Sequence, residues 1–259
     1  MPSLTSRVAL ITGSTSGIGK GMAEHFAALG AKVVVHGRET QAGTRLVETI
    51  RGRGGEAAFL AGDLADEAFC MSLVRDTVQR FGTLDILVNN AASTSRATIG
   101  GATTAFWDRM MAINLRAPFI LMREALAVMK TRGSGSIVNI GSINAYCGMD
   151  TLGPYSVSKG ALMTMTRNAS VEFARHHVRV NQLNVGWTLT EGEERVKREE
   201  EGLGPNWLED AVKTRPFGRL LAPLDIAHAA AYFASDDSAV ITGSVLDLEQ
   251  FAIGAPGTW

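Results

Sequence analysis

The chain has 259 residues, of which 46% are hydrophobic and 20% charged, and its formal net charge is -1. This near-neutral balance leaves no surplus of positive charge to attract nucleic acid or an anionic membrane, so neither is expected as a partner. The length suits one large α/β domain with a full core, and we predict a single domain over residues 1–259.

Short β-rich runs alternate with helical segments along the whole chain. In chain order, the predicted elements lie at 7–11, 17–29, 32–36, 40–52, 56–62, 66–81, 84–90, 104–131, 136–142, 155–175, 178–186, 223–235 and 244–249. Parallel strands need crossovers of about a dozen residues, and buried parallel strands form near-continuous apolar runs, as VVV does at 33–35. The alternation therefore predicts a doubly wound (Rossmann) α/β sheet of about seven parallel strands with helices on both faces.

Residues 191–210 interrupt this alternation. The run EGEERVKREEE concentrates charge there before GLGPNW. A charge run is often a solvated helical face, but an insertion between a strand end and a crossover helix also suits a mobile lid over a cleft. We predict a substrate lid at 191–210.

The sequence also indicates the compartment. The two cysteines, Cys70 and Cys147, have neither the spacing of a disulfide framework nor that of a zinc site. The N-terminal segment carries only a short apolar run, and nowhere do eighteen apolar residues follow one another. We expect a cytoplasmic protein without a metal.

The glycine-rich stretch TGSTSGIGKG, residues 12–21, joins the first strand to the first helix. It is not a triphosphate loop of the form GxxxxGK[ST], because five residues separate Gly13 from Gly19 and Gly21 follows Lys20. Its spacing, GxxxGxG, also differs from GxGxxG. Glycines before a helix N-terminus nevertheless suit a pyrophosphate, so a dinucleotide site and a simple tight turn both remain open at this point.

Motifs later in the chain distinguish a dinucleotide site from a simple tight turn. With TGSTSGIG, the following stand in one order: Asp63-Leu64, Asn89-Asn90-Ala91-Ala92, Asn114, Ser142, and Tyr155 with Lys159 in YSVSK. In these motifs the chain resembles the short-chain dehydrogenase/reductase family from end to end. The resemblance implies an NAD(P)-dependent oxidoreductase acting on CH–OH groups. Enoyl reductases of the family space the tyrosine and lysine more widely, so that activity is disfavoured.

The resemblance implies that Asn114, Ser142, Tyr155 and Lys159 are catalytic. Tyr155 and Lys159 are four residues apart and share a helix face. A phenol with a pKa of about 10 is a poor base, so Lys159 and an oxidised nicotinamide are expected to lower that pKa. Ser142 would hydrogen-bond the substrate oxygen, since its flanks lack the GxSxG elbow of a nucleophile. Asn114 would bend its helix and hold a water linked to Lys159.

The same resemblance predicts the cofactor site. The residues it assigns are Gly13, Ser16, Gly17, Ile18, Gly19, Arg38, Asp63, Leu64, Asn90, Ala91, Ala92, Tyr155, Lys159, Gly186, Thr188 and Thr190. Enzymes that prefer NAD usually place an acidic residue at the end of the second strand, where this chain has Gly37. Arg38 follows it and suits a 2'-phosphate. NADP(H) is therefore predicted, with NAD(H) as the alternative, although Ser16 stands where many NADP enzymes carry a second basic residue.

The substrate is predicted from residues that flank the catalytic loops. Ser93, Asn144 and Trp187 are the candidates, and their mixed character suits a small polar sugar, polyol or hydroxy-keto compound. A 3-oxoacyl thioester (acyl-carrier-protein) reductase is one alternative, disfavoured because 161–174 offers only Arg167 as a basic docking residue. A catalytically silent cofactor-binding regulatory protein is another.

Two expectations concern surfaces. The family usually forms homotetramers through its two long helices, here 104–131 and 155–175, so a homotetramer is expected. At the C-terminus, the family's DGG-like turn is replaced by residues 247–251, which either face an active site or form a surface tail.

Overall fold

The computed structural model describes residues 2–146 and 148–253, so Cys147 lies outside the described residues. The strands are β1 (Val8–Ile11), β2 (Lys32–Gly37), β3 (Glu56–Ala61), β4 (Ile86–Asn89), β5 (Gly135–Ser142), β6 (Val178–Val185) and β7 (Val245–Leu248). The helices are α1 (Gly17–Ala28), α2 (Thr40–Gly52), α3 (Glu67–Phe81), α4 (Thr104–Met111), α5 (Ala117–Arg132), α6 (Gly153–Ala174), α7 (Glu191–Arg195), α8 (Trp207–Lys213) and α9 (Pro223–Ala234).

The seven strands form one parallel sheet in the order β3-β2-β1-β4-β5-β6-β7. This confirms the predicted fold class and the sequence positions of all seven strands. The 191–210 segment contains α7 and a π-helical turn, and α8 continues past it to Lys213. In the part of the chain that the structure describes, no helix is long and apolar enough to cross a membrane.

Two apolar layers cover the sheet, one on each face. On one face, α1, α2 and α9 pack against side chains such as Ile11 and Val35. On the other, α3, α5 and α6 cover Leu10 and Val34. Neighbouring residues of one strand point to opposite faces, and here both faces are buried. That is why β1 and β2 read as continuous apolar runs rather than as alternating ones.

The winding of the sheet reverses beside β1. From β1 the chain moves outward through β2 to β3 and then returns to β4 on the other side of β1. A crevice opens at the carboxyl ends of the strands at such a reversal, and ligands of open α/β sheets bind there. The glycine loop after β1 and the Asn90–Ala91 segment after β4 meet at this crevice.

The predicted helix over 104–131 is interrupted at Asn114. Residues 112–116 form a π-helical segment between α4 and α5. The sequence supplies a reason, because Pro118 has no N–H to donate to the carbonyl of Asn114 four residues earlier. Such segments bend a helix, which agrees with the bend expected at Asn114.

A chain of polar side chains, buried except at the end formed by Asp247 and Tyr146, crosses the sheet beneath the catalytic end. Successive hydrogen bonds of 2.7–3.1 Å join its seven members, which are Asn89, Asn139, Thr166, Gln182, Asn184, Asp247 and Tyr146. Gly141 makes room for this chain, because a Cβ at that position would overlap the Asn184 and Gln182 amides. Gly141, which precedes Ser142, is therefore required by packing.

We expect Gly141→Ala to lower the free energy of unfolding by about 2–4 kcal/mol, because two buried amides must lose hydrogen bonds or shift. Gly52→Ala is the control: it ends α2, and an added Cβ meets nothing within 4 Å. That variant should gain up to about 1 kcal/mol. Urea unfolding of both variants measures the difference, and equal stability of the two would contradict the packing argument.

Candidate active site

The glycine loop is held by the segment that follows β4. The Asn90 side-chain amide donates to the carbonyls of Thr12 at 2.8 Å and Gly13 at 3.1 Å. Gly13 has a φ of +62°, and a Cβ there would lie 2.8 Å from the Ala91 Cα. Gly19 has no room for a side chain against the Gly13 carbonyl and Asn90. These two glycines therefore serve the packing of the loop against β4.

His36 is a loop-holding residue that the sequence analysis missed. It is the penultimate residue of β2 and is buried, and its Nδ1 accepts the backbone N–H of Gly13 at 3.2 Å. Its own N–H donates to the Ser14 hydroxyl at 3.1 Å. Burial lowers the pKa of His36 to about 4, which keeps the ring neutral and able to accept at pH 7. The sequence feature that could have indicated this role is the histidine that follows three valines in VVVH.

The N-terminus of α1 faces the crevice. Ser16 precedes the helix with an exposed side chain that forms no capping hydrogen bond to the described residues. N–H groups of a first helical turn suit an anion when no side chain caps them. Thr190 lies across from this turn, with its methyl 3.6 Å from where a Cβ of Gly17 would be. These groups fit a pyrophosphate.

The other predicted cofactor residues lie along the same edge. Gly37 packs directly on Thr15, and Arg38 beside it is exposed, with no ion pair among the described residues. Asp63 accepts the Ala65 N–H at 2.9 Å and pairs with Arg109 at 2.7 Å. The Asp63 carboxylate is therefore already engaged within the protein.

Three further predicted residues are committed to local structure as well. Leu64 is buried in the apolar layer with α3 and α5. Thr188 donates to the Gly186 carbonyl at 3.0 Å. The Thr190 hydroxyl accepts the N–H of Glu193 and so caps α7. All three side chains are thus engaged by contacts within the protein.

Ser142, Tyr155 and Lys159 meet where β5 ends and α6 begins. Ser142 is the last residue of β5 and is buried, with its hydroxyl accepting the Asn144 N–H at 3.2 Å. Tyr155 is partly exposed on the first turn of α6. Lys159 Nζ lies 5.7 Å from the centre of the Tyr155 ring and donates to the Ile140 carbonyl at 2.8 Å.

The pKa shifts of Tyr155 and Lys159 in the folded chain differ from those that the spacing of the two residues predicts. Burial raises the pKa of Tyr155, and a hydrogen bond from Ser142 opposes that effect without reversing it. Burial also lowers the pKa of Lys159 to about 8. The expected lowering of the Tyr155 pKa is therefore not produced by the residues of the chain alone. They keep the phenol protonated at neutral pH, as a proton donor must be.

Asn114 joins the two walls of this site. It is buried at the π-helical segment, and its side-chain oxygen accepts the Ser93 N–H at 2.7 Å. Its amide nitrogen donates to the Ser93 carbonyl and to the Ser158 hydroxyl, both at 3.0 Å. Ser158 in turn donates to the Tyr155 carbonyl at 2.6 Å. The Asn114 side chain thus positions Ser93 and α6, and the water assigned to it stays a prediction.

The three candidate substrate residues follow neighbouring strands. Ser93 comes after β4, Asn144 after β5 and Trp187 after β6, so they border one cleft around Ser142. The Trp187 indole N–H donates to Glu193 at 2.7 Å. Lys197 and Arg215 lie 5.0 and 5.5 Å from the centre of its ring.

The segment after Trp187 packs on its own small core. Trp207, Ala211 and Leu220 are buried there, with Trp187 against them. A cavity of about 470 Å³ lies between Trp187 and this segment. None of the four predicted catalytic residues lines it, so it is beside the catalytic groups rather than at them.

The C-terminal segment is packed against the body. Gln250 donates to the Arg219 carbonyl at 2.6 Å and accepts the Phe217 N–H at 3.1 Å. Arg215 lies 4.9 Å from the centre of the Phe251 ring. Asp247 on β7 accepts hydrogen bonds from Asn184 and Tyr146, so residues 247–251 are held against the body by side-chain contacts. Across residues 2–146 and 148–253, no cluster of His, Cys, Asp or Glu is arranged to hold a metal ion.

Comparison with known proteins gave consistent matches. The family model described as Enoyl-(Acyl carrier protein) reductase matches residues 13–249. A Thermotoga maritima protein named as an uncharacterized oxidoreductase is 38% identical over 94% of this chain and 96% of its own. An NADP-dependent (R)-specific alcohol dehydrogenase of Lentilactobacillus kefiri is 35% identical over 93% and 94%. The crystal structure of a 3-oxoacyl (acyl-carrier-protein) reductase of Agrobacterium tumefaciens C58, with NADP bound, has a TM-score of 0.86 at 31% identity over 95% and 94%.

Lys159→Met should be more stable than the wild type at pH 7 by about 2 kcal/mol. The folded-state pKa is about 8 against 10.5 for the free side chain, so the buried charge destabilises the fold by about 3 kcal/mol, less about 1 for the lost hydrogen bond to Ile140. Between those pKa values the unfolded wild type binds more protons, so wild-type stability rises with pH and the gap closes.

Urea unfolding at pH 7 and pH 10 measures this difference. The control is Lys130→Met, an exposed lysine on α5, whose effect should not change with pH. A Lys159→Met protein that is less stable than the wild type at pH 7 would contradict the predicted cost of burying the charge.

Proposed function

This chain is an oxidoreductase of the short-chain dehydrogenase/reductase family, and on that premise we propose that it uses NADP(H) to interconvert a secondary alcohol and a ketone on a small polar substrate. The observation that carries the proposal is the meeting of Ser142, Tyr155 and Lys159 at one end of β5, beside the crevice that the glycine loop borders. The proposed substrate is a sugar, a polyol or a hydroxy-ketone.

The proposed mechanism assigns each side chain one role. Bound NADP(H) would supply the hydride acceptor or donor. Ser142 holds the substrate oxygen, and Tyr155, protonated at neutral pH, gives its proton to that oxygen during reduction. Lys159 is buried beside the phenol with a pKa of about 8, so it is largely charged at pH 7 and favours the phenolate left behind. Asn114 is a positioning residue, because its hydrogen bonds hold Ser93 and α6 in place.

The preference for NADP(H) is proposed from the end of β2. Gly37 places no carboxylate where a 2'-phosphate would lie, and Arg38 is exposed next to it. A charge-assisted hydrogen bond from a guanidinium to a phosphate is strong, and its loss is measurable in binding. The name of the Lentilactobacillus relative and the NADP in the Agrobacterium structure support the same choice.

A 3-oxoacyl thioester reductase is the second candidate, favoured by the likeness to the Agrobacterium enzyme. It ranks second because α6 offers only Arg167 over 161–174 to dock an acidic carrier. Enoyl reduction, which the family model's description names, is not proposed, since Tyr155 and Lys159 are four residues apart.

A homotetramer in the cytoplasm is proposed as the working form. The two long helical stretches leave apolar side chains exposed, among them Phe119 on α5 and Val157 and Val171 on α6. Exposed apolar groups on neighbouring helices suit contact with a second copy of the chain.

Replacing Arg38 with alanine should weaken NADPH binding about ten- to hundredfold, for a lost interaction of about 1.5–3 kcal/mol, and leave NADH binding within about threefold. Fluorescence titration with both cofactors measures this. The control is Arg80→Ala. This exposed arginine lies at the end of α3, near the amino ends of the strands and away from Arg38. An equal loss for both cofactors, or tighter wild-type binding of NADH, would refute the NADP(H) proposal.

The reaction itself is tested by absorbance at 340 nm, with NADP and NAD against sugars, polyols and secondary alcohols, and the reduced cofactors against ketones and 3-oxoacyl thioesters. Tyr155→Phe should lower turnover about 10²- to 10⁴-fold while NADPH binding stays within a few fold. Tyr232→Phe, on α9, is the matched control. Full activity of Tyr155→Phe would rule out the mechanism, and bound NADPH without any turnover would favour the regulatory alternative.

A further inference from the structure

A line of charged side chains crosses the mouth of the cleft. Because β5 lies between β4 and β6, Ser142 sits between the segment after β4, which carries Arg96, and the segment after β6, which carries Trp187. Arg96 and Trp187 are thus on opposite walls of the cleft. The segment with α7 runs between these walls.

Four contacts connect the two walls. Arg96 Nη1 lies 2.9 Å from Glu201 Oε1, and Lys197 Nζ lies 2.7 Å from Glu201 Oε2. Lys197 Nζ is also 5.0 Å from the centre of the Trp187 ring, and the Trp187 indole N–H donates to Glu193. We call these five residues the strap. It joins the walls above the end of β5.

The strap is shielded from water compared with other ion pairs of the same segment. The Lys197 side chain is 13% exposed, and those of Arg96 and Glu201 are 25% and 28% exposed. The Arg198–Glu194 pair, also four residues apart, is 50% and 49% exposed. Partly buried pairs are less screened by water and salt than exposed pairs, so the strap contacts are the stronger set.

Both ends of the strap are fixed to the body. Ala97, next to Arg96, forms a β-bridge with Leu152 just before α6. The Trp187 carbonyl accepts the Leu221 N–H at 3.0 Å, ahead of α9. The α7 segment lies between these anchors, and the Arg96–Glu201 pair holds it to the segment after β4. Opening the mouth therefore requires separation of Arg96 from Glu201.

We propose that the strap is a specificity device that admits small free substrates and excludes those attached to a carrier. This inference rests on the proposed function and names its substrate class. A free ketone or alcohol fits wholly beneath the closed strap, whereas a carbonyl group on a long arm must leave the arm in the mouth that the strap crosses. The two acidic and two basic members balance one another, so the closed strap offers no unpaired charge to a carrier's phosphate.

The test compares two forms of one substrate. The ketone with the highest turnover in the NADPH panel is measured as the free compound and with a polyethylene glycol chain on the end remote from the carbonyl. For the wild type, kcat/KM should be at least about 100-fold higher for the free form. Arg96→Ala should reduce that ratio about tenfold or more, the equivalent of about 1.4 kcal/mol. Arg198→Ala, which breaks only the outer pair, should leave it unchanged.

Arg96→Lys, which keeps a positive charge opposite Glu201, should keep most of the wild-type ratio. Hydrogen exchange of residues 191–201 supplies a second readout, in which Arg96→Ala should exchange faster than both the wild type and Arg198→Ala. Equal wild-type turnover of the two forms, or a ratio that Arg96→Ala does not change, would overturn the strap proposal. Wild-type turnover of the free ketone tests the proposed function by itself, so the two failures are distinguishable.

Discussion

The contact between the ends of β1 and β4 is the constraint on which the rest of the site depends. Asn90 donates to the carbonyls of Thr12 and Gly13, and Gly13 approaches Ala91 too closely for a side chain. This contact lies where the winding of the sheet reverses, so it sets the width of the crevice and the direction of α1 at once. An anion binds in front of the first turn of a helix, so the direction of α1 decides where in the crevice an anion can bind.

Most of the fold was predictable because a strand that is buried on both faces of a parallel sheet appears in the sequence as a continuous apolar run. Apolar runs such as that of β2 mark strands wherever they occur, and family motifs identify the ends of strands where ligands bind. The partners across space leave no such signal. Nothing near His36 in the sequence shows that it accepts from Gly13, and nothing near Arg96 shows that it meets Glu201 105 residues later. Both contacts are set by the arrangement of loops on the finished sheet.

The electrostatics of the catalytic groups show the same limit. A lysine four residues from a tyrosine suggests a lowered phenol pKa when the two are considered as a pair. In the folded chain, burial dominates for both groups: it raises the pKa of Tyr155 and lowers that of Lys159 to about 8. Spacing gives the proximity of charges but not the dielectric around them. The helix interruption at Asn114, by contrast, can be explained from the neighbouring sequence. Pro118 stands four residues later and has no N–H to donate to the Asn114 carbonyl.

The buried polar chain has a direction. From Asn89 onward each side chain donates to the next, and at the far end the Asp247 carboxylate accepts from both Asn184 and Tyr146. Reversing one amide would set donor against donor on one side and acceptor against acceptor on the other. A single replacement in the middle of the chain therefore leaves at least one buried donor or acceptor without a partner, and only several coordinated substitutions could replace the arrangement without that cost.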